Sequence, residues 1–103
     1  MNIITWNVNG IRAALGKGAL DWAFAKSPDA LCLQEVKARE EQLDDEQRSM
    51  LKLPHIWNAA LRPGYSGVAT FFKHQPDEIV VGMGDEQFDV EGRVIQTVLK
   101  GVR

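Results

Sequence analysis

The sequence has a single cysteine, no long apolar run and no secretion-signal pattern in its first residues. It contains a single cysteine, Cys32, which excludes an internal disulfide and a cysteine-based zinc site. Because Cys32 lies inside an apolar run, we expect a buried structural thiol. No apolar run approaches the roughly 20 residues that a membrane-spanning helix needs, so no membrane contact is expected. The first residues lack the features of a secretion signal, and we therefore expect a cytoplasmic protein.

An excess of positive charge is also missing. Lysine and arginine number 12 against 14 aspartates and glutamates, which gives a formal net charge of −2. A protein that holds nucleic acid through its overall charge is therefore excluded, and any contact with phosphates must come from local cations. The 103 residues, 45% of them hydrophobic, suffice for one small domain with a modest core.

The first third of the sequence has the pattern of a β-α-β unit. Residues 2–8 are rich in β-branched and aromatic types and end at an Asn-Gly pair, which predicts a strand. Apolar residues recur at helical spacing in 18–26, where a Ser-Pro pair ends the helix, and residues 30–34 form a second apolar strand. A crossover of this size forces the two strands to run parallel.

Polar side chains stand at the ends of both predicted strands. Asn7 and Asn9 follow the first apolar run, and Glu35 follows the second. Because parallel strands of an open α/β sheet end at the same edge, where such sheets place their ligand sites, we expect Asn7 and Glu35 to meet. Oxygen donors of this kind suit Mg²⁺. The alternative for Glu35 is an exposed, ion-paired carboxylate that ends a strand.

The rest of the sequence predicts a surface helix and four further strands. The charged stretch 38–52 indicates a short helix that Asp44 and Gln47 cap. The strands are expected at 55–61, 67–73, 78–83 and 93–99, with a glycine-punctuated acidic connection at 84–92. Since the sequence stops at Arg103, directly after a predicted strand, we expect an incomplete domain that associates with itself or with its missing part.

Five motifs in order, TWNVNGIRA, LDW, PDALCLQEVK, GYSGVA and EGRVI, resemble the exonuclease III family of apurinic/apyrimidinic endonucleases, within the wider endonuclease/exonuclease/phosphatase group. The resemblance implies an α/β fold, the N-terminal part of a four-layer α/β sandwich in which helices flank two mixed β-sheets. It implies that residues 1–103 are the N-terminal portion of a single such domain, truncated after a strand. The family's catalytic residues would then lie downstream, with none in this chain.

The resemblance also implies a function and a set of site residues. The family consists of Mg²⁺-dependent DNA repair nucleases, for which Mn²⁺ can substitute, that cut double-stranded DNA 5′ to abasic sites and trim 3′ ends. Glu35 would bind the metal, and Asn7 would ligate it or orient its ligand. Asn9 stands where relatives carry an aspartate, which lowers the negative charge there; it is the third candidate ligand.

The same resemblance assigns DNA contacts. Arg12 and Lys17, in the loop after the first strand, would lie along the DNA backbone, and Lys37 would lie beside the metal. Gly64 and Tyr65 would form a turn against the backbone near the lesion. For any one of these cations the alternative is an ordinary surface charge, and for Tyr65 it is the cap of a hairpin.

Arg93, in EGRVI, is expected to pair with acids behind the site rather than to contact substrate. Two other functions stay open at this point. One is a phosphatase or phosphodiesterase of the wider group that acts on lipid or small-molecule phosphates. The other is a non-catalytic fragment or interaction module, because a chain without the general base cannot run the hydrolysis.

Overall fold

A computed structural model describes residues 1–51 and 53–99, in which six strands and four short α-helices follow one another. None of these helices is long and apolar enough to cross a bilayer. The strands are β1 (Ile3–Asn7), β2 (Ala30–Gln34), β3 (His55–Asn58), β4 (Val68–Phe72), β5 (Glu78–Val81) and β6 (Ile95–Val98). The helices are α1 (Ile11–Gly16), α2 (Ala19–Ala25), α3 (Asp45–Ser49) and α4 (Glu86–Asp89), with a 3₁₀-helix at Glu40–Gln42.

The strands form two sheets. The larger has the order β1-β2-β4-β3, in which β1 and β2 run parallel and β4 runs antiparallel to both of its neighbours. The smaller is the antiparallel pair β5-β6. The α/β fold class is confirmed, and so is the parallel β-α-β unit at the start of the chain, in which Asn7 stands opposite Gln34.

The hydrophobic core lies between the larger sheet and the helices. Leu31 and Leu33 of β2 and Phe71 of β4 are at most 1% exposed, and α1 and α2 cover them with Leu15 and Leu20. Every buried hydrophobic residue of the described chain falls between positions 11 and 72. The β5-β6 pair therefore stands outside this core.

The structure adds two helices that the sequence analysis missed. Helix α1 lies where a loop was expected, although its buried residues Ile11, Ala14 and Leu15 have helical spacing. Its six residues and the absence of a capping side chain at Gly10 explain the omission. Helix α4 occupies part of the connection 84–92.

The charged stretch 38–52 behaves largely as expected. It forms the 3₁₀-helix and α3, and the predicted capping box of Asp44 and Gln47 is confirmed. Lys52, which the prediction included, lies outside the described residues. Cys32 is half-buried rather than fully buried, and burial raises the pKa of its thiol, so that the thiol stays protonated.

Candidate metal and DNA-binding site

The ends of β1 and β2 bring Asn7 and Glu35 into contact. The Asn7 side-chain nitrogen donates a hydrogen bond to Glu35 Oε2, although 28 positions separate the two residues. The parallel register that pairs Asn7 with Gln34 produces this contact, since it sets Glu35 one residue beyond the paired strands. The meeting of these two side chains, predicted from the sequence, is confirmed.

The backbone around Glu35 is held in an uncommon conformation. Glu35 and Lys37 have φ angles of 51° and 56°, in the left-handed region, while Val36 between them is fully buried. Such residues cost about 1–3 kcal/mol each and persist only where the surroundings enforce them. Here Val36 N–H donates to Gly67 O at 3.1 Å and Lys37 N–H to Ser66 O at 2.8 Å. Val36 thus anchors the turn while Glu35 and Lys37 are partly exposed.

Lys37 and Asn9 complete a polar cluster around the carboxylate. Lys37 Nζ donates to Asn9 Oδ1 at 2.5 Å and lies 3.7 Å from Glu35 Oε1. The Asn9 backbone N–H donates to Asn7 Oδ1 at 3.0 Å. Asn7 is therefore fixed by both ends of its carboxamide, and in this arrangement it orients Glu35.

The donors of this cluster fit a hard cation. Within residues 1–51 and 53–99 no three His, Cys, Asp or Glu side chains come together to hold a metal ion. Mg²⁺ is commonly held by one or two carboxylates, with water and substrate phosphate as the other ligands. Glu35 supplies one such carboxylate, while the carboxamide oxygens of Asn7 and Asn9 accept hydrogen bonds from the Asn9 N–H and from Lys37 Nζ in this structure.

The cluster opens into a cleft of about 330 Å³. The residues that line it are Glu35, Lys37, Gly64, Tyr65, Ser66 and Arg93. The predicted DNA contacts Lys37, Gly64 and Tyr65 therefore stand together with the predicted metal ligand. Arg12 and Lys17 are exposed and do not line this cleft; Arg12 lies in the first turn of α1 and Lys17 follows its last residue.

Tyr65 is held by a network that the sequence analysis did not find. Its hydroxyl donates to Glu91 Oε1 at 2.8 Å and accepts from Arg93 Nη2 at 2.9 Å, and the hydrogen bond with Tyr65 raises the pKa of Arg93. The guanidinium carbons of Arg62 and Arg93 lie 5.2 and 5.7 Å from the ring centroid. Arg93 does pair with an acid, Glu91, at 3.4 Å, but the expected place behind the site was wrong, since Arg93 lines the cleft.

A close backbone contact positions Glu91 and Arg93. Gly92, between them, has a φ of 61°, and a Cβ atom there would meet Ala60 N at 2.4 Å. Leu61 N–H donates to Val90 O at 2.9 Å, and the Asn58 side chain donates to Val94 O at 2.9 Å. The segment 90–94 is thus docked directly on the end of β3 and on the residues that follow it.

A family model described as the Endonuclease/Exonuclease/phosphatase family matches residues 4–103 of the sequence. The chain belongs to this family. The resemblance predicted from the five motifs is thereby confirmed, and relatives with known names support it.

Two relatives with known names share much of the sequence. The "DNA repair nuclease APEX1" of Danio rerio is 44% identical over 97 residues, which are 92% of this chain and 31% of that protein. An exodeoxyribonuclease of Bacillus subtilis is 39% identical over 104 residues, which are 99% of this chain and 40% of that protein. The chain thus spans less than half the length of either relative.

Solved structures of the family superpose on the chain. An AP endonuclease from Archaeoglobus fulgidus matches with a TM-score of 0.77 and 27% identity, over 98% of this chain and 38% of that one. A 3′ phosphatase from Neisseria bound to product DNA hairpin matches with a TM-score of 0.77 and 28% identity, with the same coverage. The α/β fold of the chain therefore corresponds to 38% of each of these two solved structures.

Proposed function

We propose that these residues belong to a Mg²⁺-dependent DNA repair nuclease that cuts double-stranded DNA at abasic sites and removes nucleotides from 3′ ends. The observation that carries the proposal is the contact of Asn7 with Glu35 at the edge of a cleft that Lys37, Tyr65 and Arg93 share. The named relatives, a DNA repair nuclease and an exodeoxyribonuclease, support the same assignment.

The charged and polar residues at the cleft have different parts in this proposal. Glu35 holds the divalent cation, and Asn7 keeps the Glu35 carboxylate oriented. A cation bound there supplies Lewis-acid stabilisation of the charge that develops on the leaving 3′ oxygen. Lys37, 3.7 Å from Glu35, offsets the negative charge of the site and attracts the phosphate.

The part of the cleft that Tyr65 and Arg93 line favours a polymer over a small phosphate ester. The guanidinium groups of Arg62 and Arg93 both lie near the Tyr65 ring, and Arg93 brings positive charge to the lining of the cleft. Contacts of this kind position a nucleic-acid backbone without reading its sequence. They support DNA over the lipid or small-molecule phosphates of other members of the wider group.

We also propose that the 103 residues do not hydrolyse DNA by themselves. Hydrolysis requires a base for the attacking water. Within the cleft, Lys37 and Arg93 are cations, Glu35 serves the metal, and the Tyr65 hydroxyl already donates to Glu91. Exposed apolar residues such as Val81, Met83 and Phe88 further support self-association or binding to the rest of a family domain.

Metal binding by the purified chain tests the assignment of Glu35. Titration with Mn²⁺, followed by the electron spin resonance of the free ion, is expected to show one site. Glu35→Gln should remove it, and Asn7→Ala should weaken it by about 10–100-fold, the usual effect of losing a residue that orients a ligand. Glu86→Gln makes the same chemical change at an exposed acid on α4 and serves as the control.

Wild-type affinity in Glu35→Gln would contradict the metal role. The inactivity of the chain is tested separately with an abasic duplex and Mg²⁺, where cleavage well above background would contradict the proposal. Within a complete family domain that carries these residues, Glu35→Ala is expected to remove most abasic-site cleavage while the fold is kept.

A further inference from the structure

Two arginines, Arg39 and Arg62, lie beside Tyr65 but outside the metal cleft. Both line a shallow hollow that shares the wall formed by Gly64, Tyr65 and Ser66 with the cleft. Both are exposed, and Arg39 Nη2 reaches Leu61 O at 3.4 Å, next to Arg62. The positive surface therefore continues past Tyr65, away from Glu35.

The charge of this surface is not balanced. Neither Arg39 nor Arg62 forms an ion pair with the described residues, whereas Arg93 pairs with Glu91. Arg62 and Arg93 lie near the same Tyr65 ring, 5.2 and 5.7 Å from its centroid, and of these two arginines only Arg93 forms an ion pair with a described carboxylate. An anion bound at this surface would compensate the charge of Arg39 and Arg62.

The small volume of the hollow limits the kind of anion that can bind there. It has a volume of about 10 Å³, room for about one water molecule, and cannot enclose a small phosphate ester. A polyanion that lies across the surface can still contact both guanidinium groups. Since the protein has a net charge of −2, such binding must come from this local group of cations.

We propose that Arg39 and Arg62 form a strip that binds the phosphodiester backbone of duplex DNA and continues the contact beyond Tyr65. This inference rests on the function proposed above. Arg39 contributes less than Arg62, because Arg39 also borders a second hollow that contains Glu40 and Glu41. The strip adds affinity and orientation of the duplex but no sequence preference.

The salt dependence of binding tests the strip. The purified chain is titrated onto a short, unmodified, fluorescent DNA duplex in EDTA at several KCl concentrations, and the slope of log K against log[KCl] is measured. Each phosphate contact contributes about 0.9 to the size of this slope. Arg62→Gln should reduce it by about 0.9 and Arg39→Gln by less than about 0.9, whereas Arg62→Lys should keep it.

Lys73→Gln is the matched control. It also removes one exposed positive charge, but Lys73 follows Phe72, which pairs with Ala30 at the end of the sheet opposite Glu35. Circular dichroism verifies that every variant is folded.

The outcomes separate the two proposals. A wild-type chain without salt-dependent binding would overturn the DNA function and the strip together. Wild-type binding combined with equal slopes for Arg62→Gln, Arg39→Gln and Lys73→Gln would overturn the strip alone. Equal or tighter binding of an RNA duplex by the wild type would overturn the choice of DNA. A loss confined to the two glutamine variants, with Arg62→Lys retained, supports the strip.

Discussion

Two regions of the chain line the cleft, the loops after β2 and before β4 of the four-stranded sheet and the segment that leads into β6, and these two regions are built differently. The larger sheet carries Glu35 above a core in which Leu31, Leu33 and Phe71 are at most 1% exposed. The smaller pair leaves Val80 and Val81 42% and 49% exposed, and isolated two-stranded pairs are marginally stable in water. The cleft thus joins a packed scaffold to a segment that depends on a few docking contacts.

Because of this difference, the metal ligand and the Tyr65 network are held in place by different kinds of contact. The turn at Glu35 is fixed by a buried Val36 and by hydrogen bonds to Ser66 and Gly67, which suits a metal ligand whose geometry must be exact. Glu91 and Arg93 are positioned by the backbone contact at Gly92. We therefore expect the Tyr65 network to be lost under milder conditions than the metal ligand.

The largest test of this contrast compares two phenylalanines. Phe71→Ala removes a ring that is 0% exposed and that contacts Phe24 and His55, and it should lower the free energy of unfolding by about 3–5 kcal/mol. Phe88→Ala removes a ring that is 53% exposed and should change the free energy by less than about 0.5 kcal/mol. Urea unfolding measures both. Similar losses would mean that α4 belongs to the same core.

The sequence predicted the contacts of the four-stranded sheet better than the contacts of the segment 90–94. The contact of Asn7 with Glu35 follows from local patterns, because two apolar runs, a crossover and the rule for parallel strands suffice to bring the strand ends together. The network of Tyr65, Glu91 and Arg93 depends on residues 26 and 28 positions apart in segments without regular pairing. No periodicity encodes such docking. Glu91 precedes Arg93 by two residues in a recognised motif, which is the one local signal that could have indicated it.

A smaller effect is expected at Gly92, where the docking is tightest. Gly92→Ala introduces a Cβ atom 2.4 Å from Ala60 N at a φ of 61°, whereas Gly84→Ala meets nothing within 4 Å at a φ of 85°. Both variants carry the left-handed strain of about 1–2 kcal/mol, and only Gly92→Ala adds the clash. Gly84→Ala is therefore the matched control.

Hydrogen exchange measures directly whether the segment 90–94 separates from the residues around Ala60 in these variants. The Leu61 N–H donates to Val90 O at 2.9 Å, so its protection should fall in Gly92→Ala and stay close to the wild type in Gly84→Ala. The Val36 N–H, which donates to Gly67 O at 3.1 Å in the packed part, should keep its protection in both variants. Equal protection of Leu61 in the two variants would contradict the docking contact.

The smallest change in stability is expected for two helix caps, Asp44 at the start of α3 and Asp85 at the start of α4. The Asp44 side chain accepts from Gln47 N–H at 2.7 Å while Gln47 Oε1 accepts from Asp44 N–H at 2.9 Å. The Asp85 side chain accepts from Gln87 N–H at 3.1 Å, and no reciprocal side-chain bond forms among the described residues. Asp44→Ala should lower the free energy of unfolding by about 1 kcal/mol, because α3 adjoins the core. Asp85→Ala removes a single cap from a helix outside the core, so its effect should be smaller. If Asp85→Ala destabilised the chain as much as Asp44→Ala, the β5-β6 region would unfold together with the packed sheet, and the division between scaffold and docked segment would be wrong.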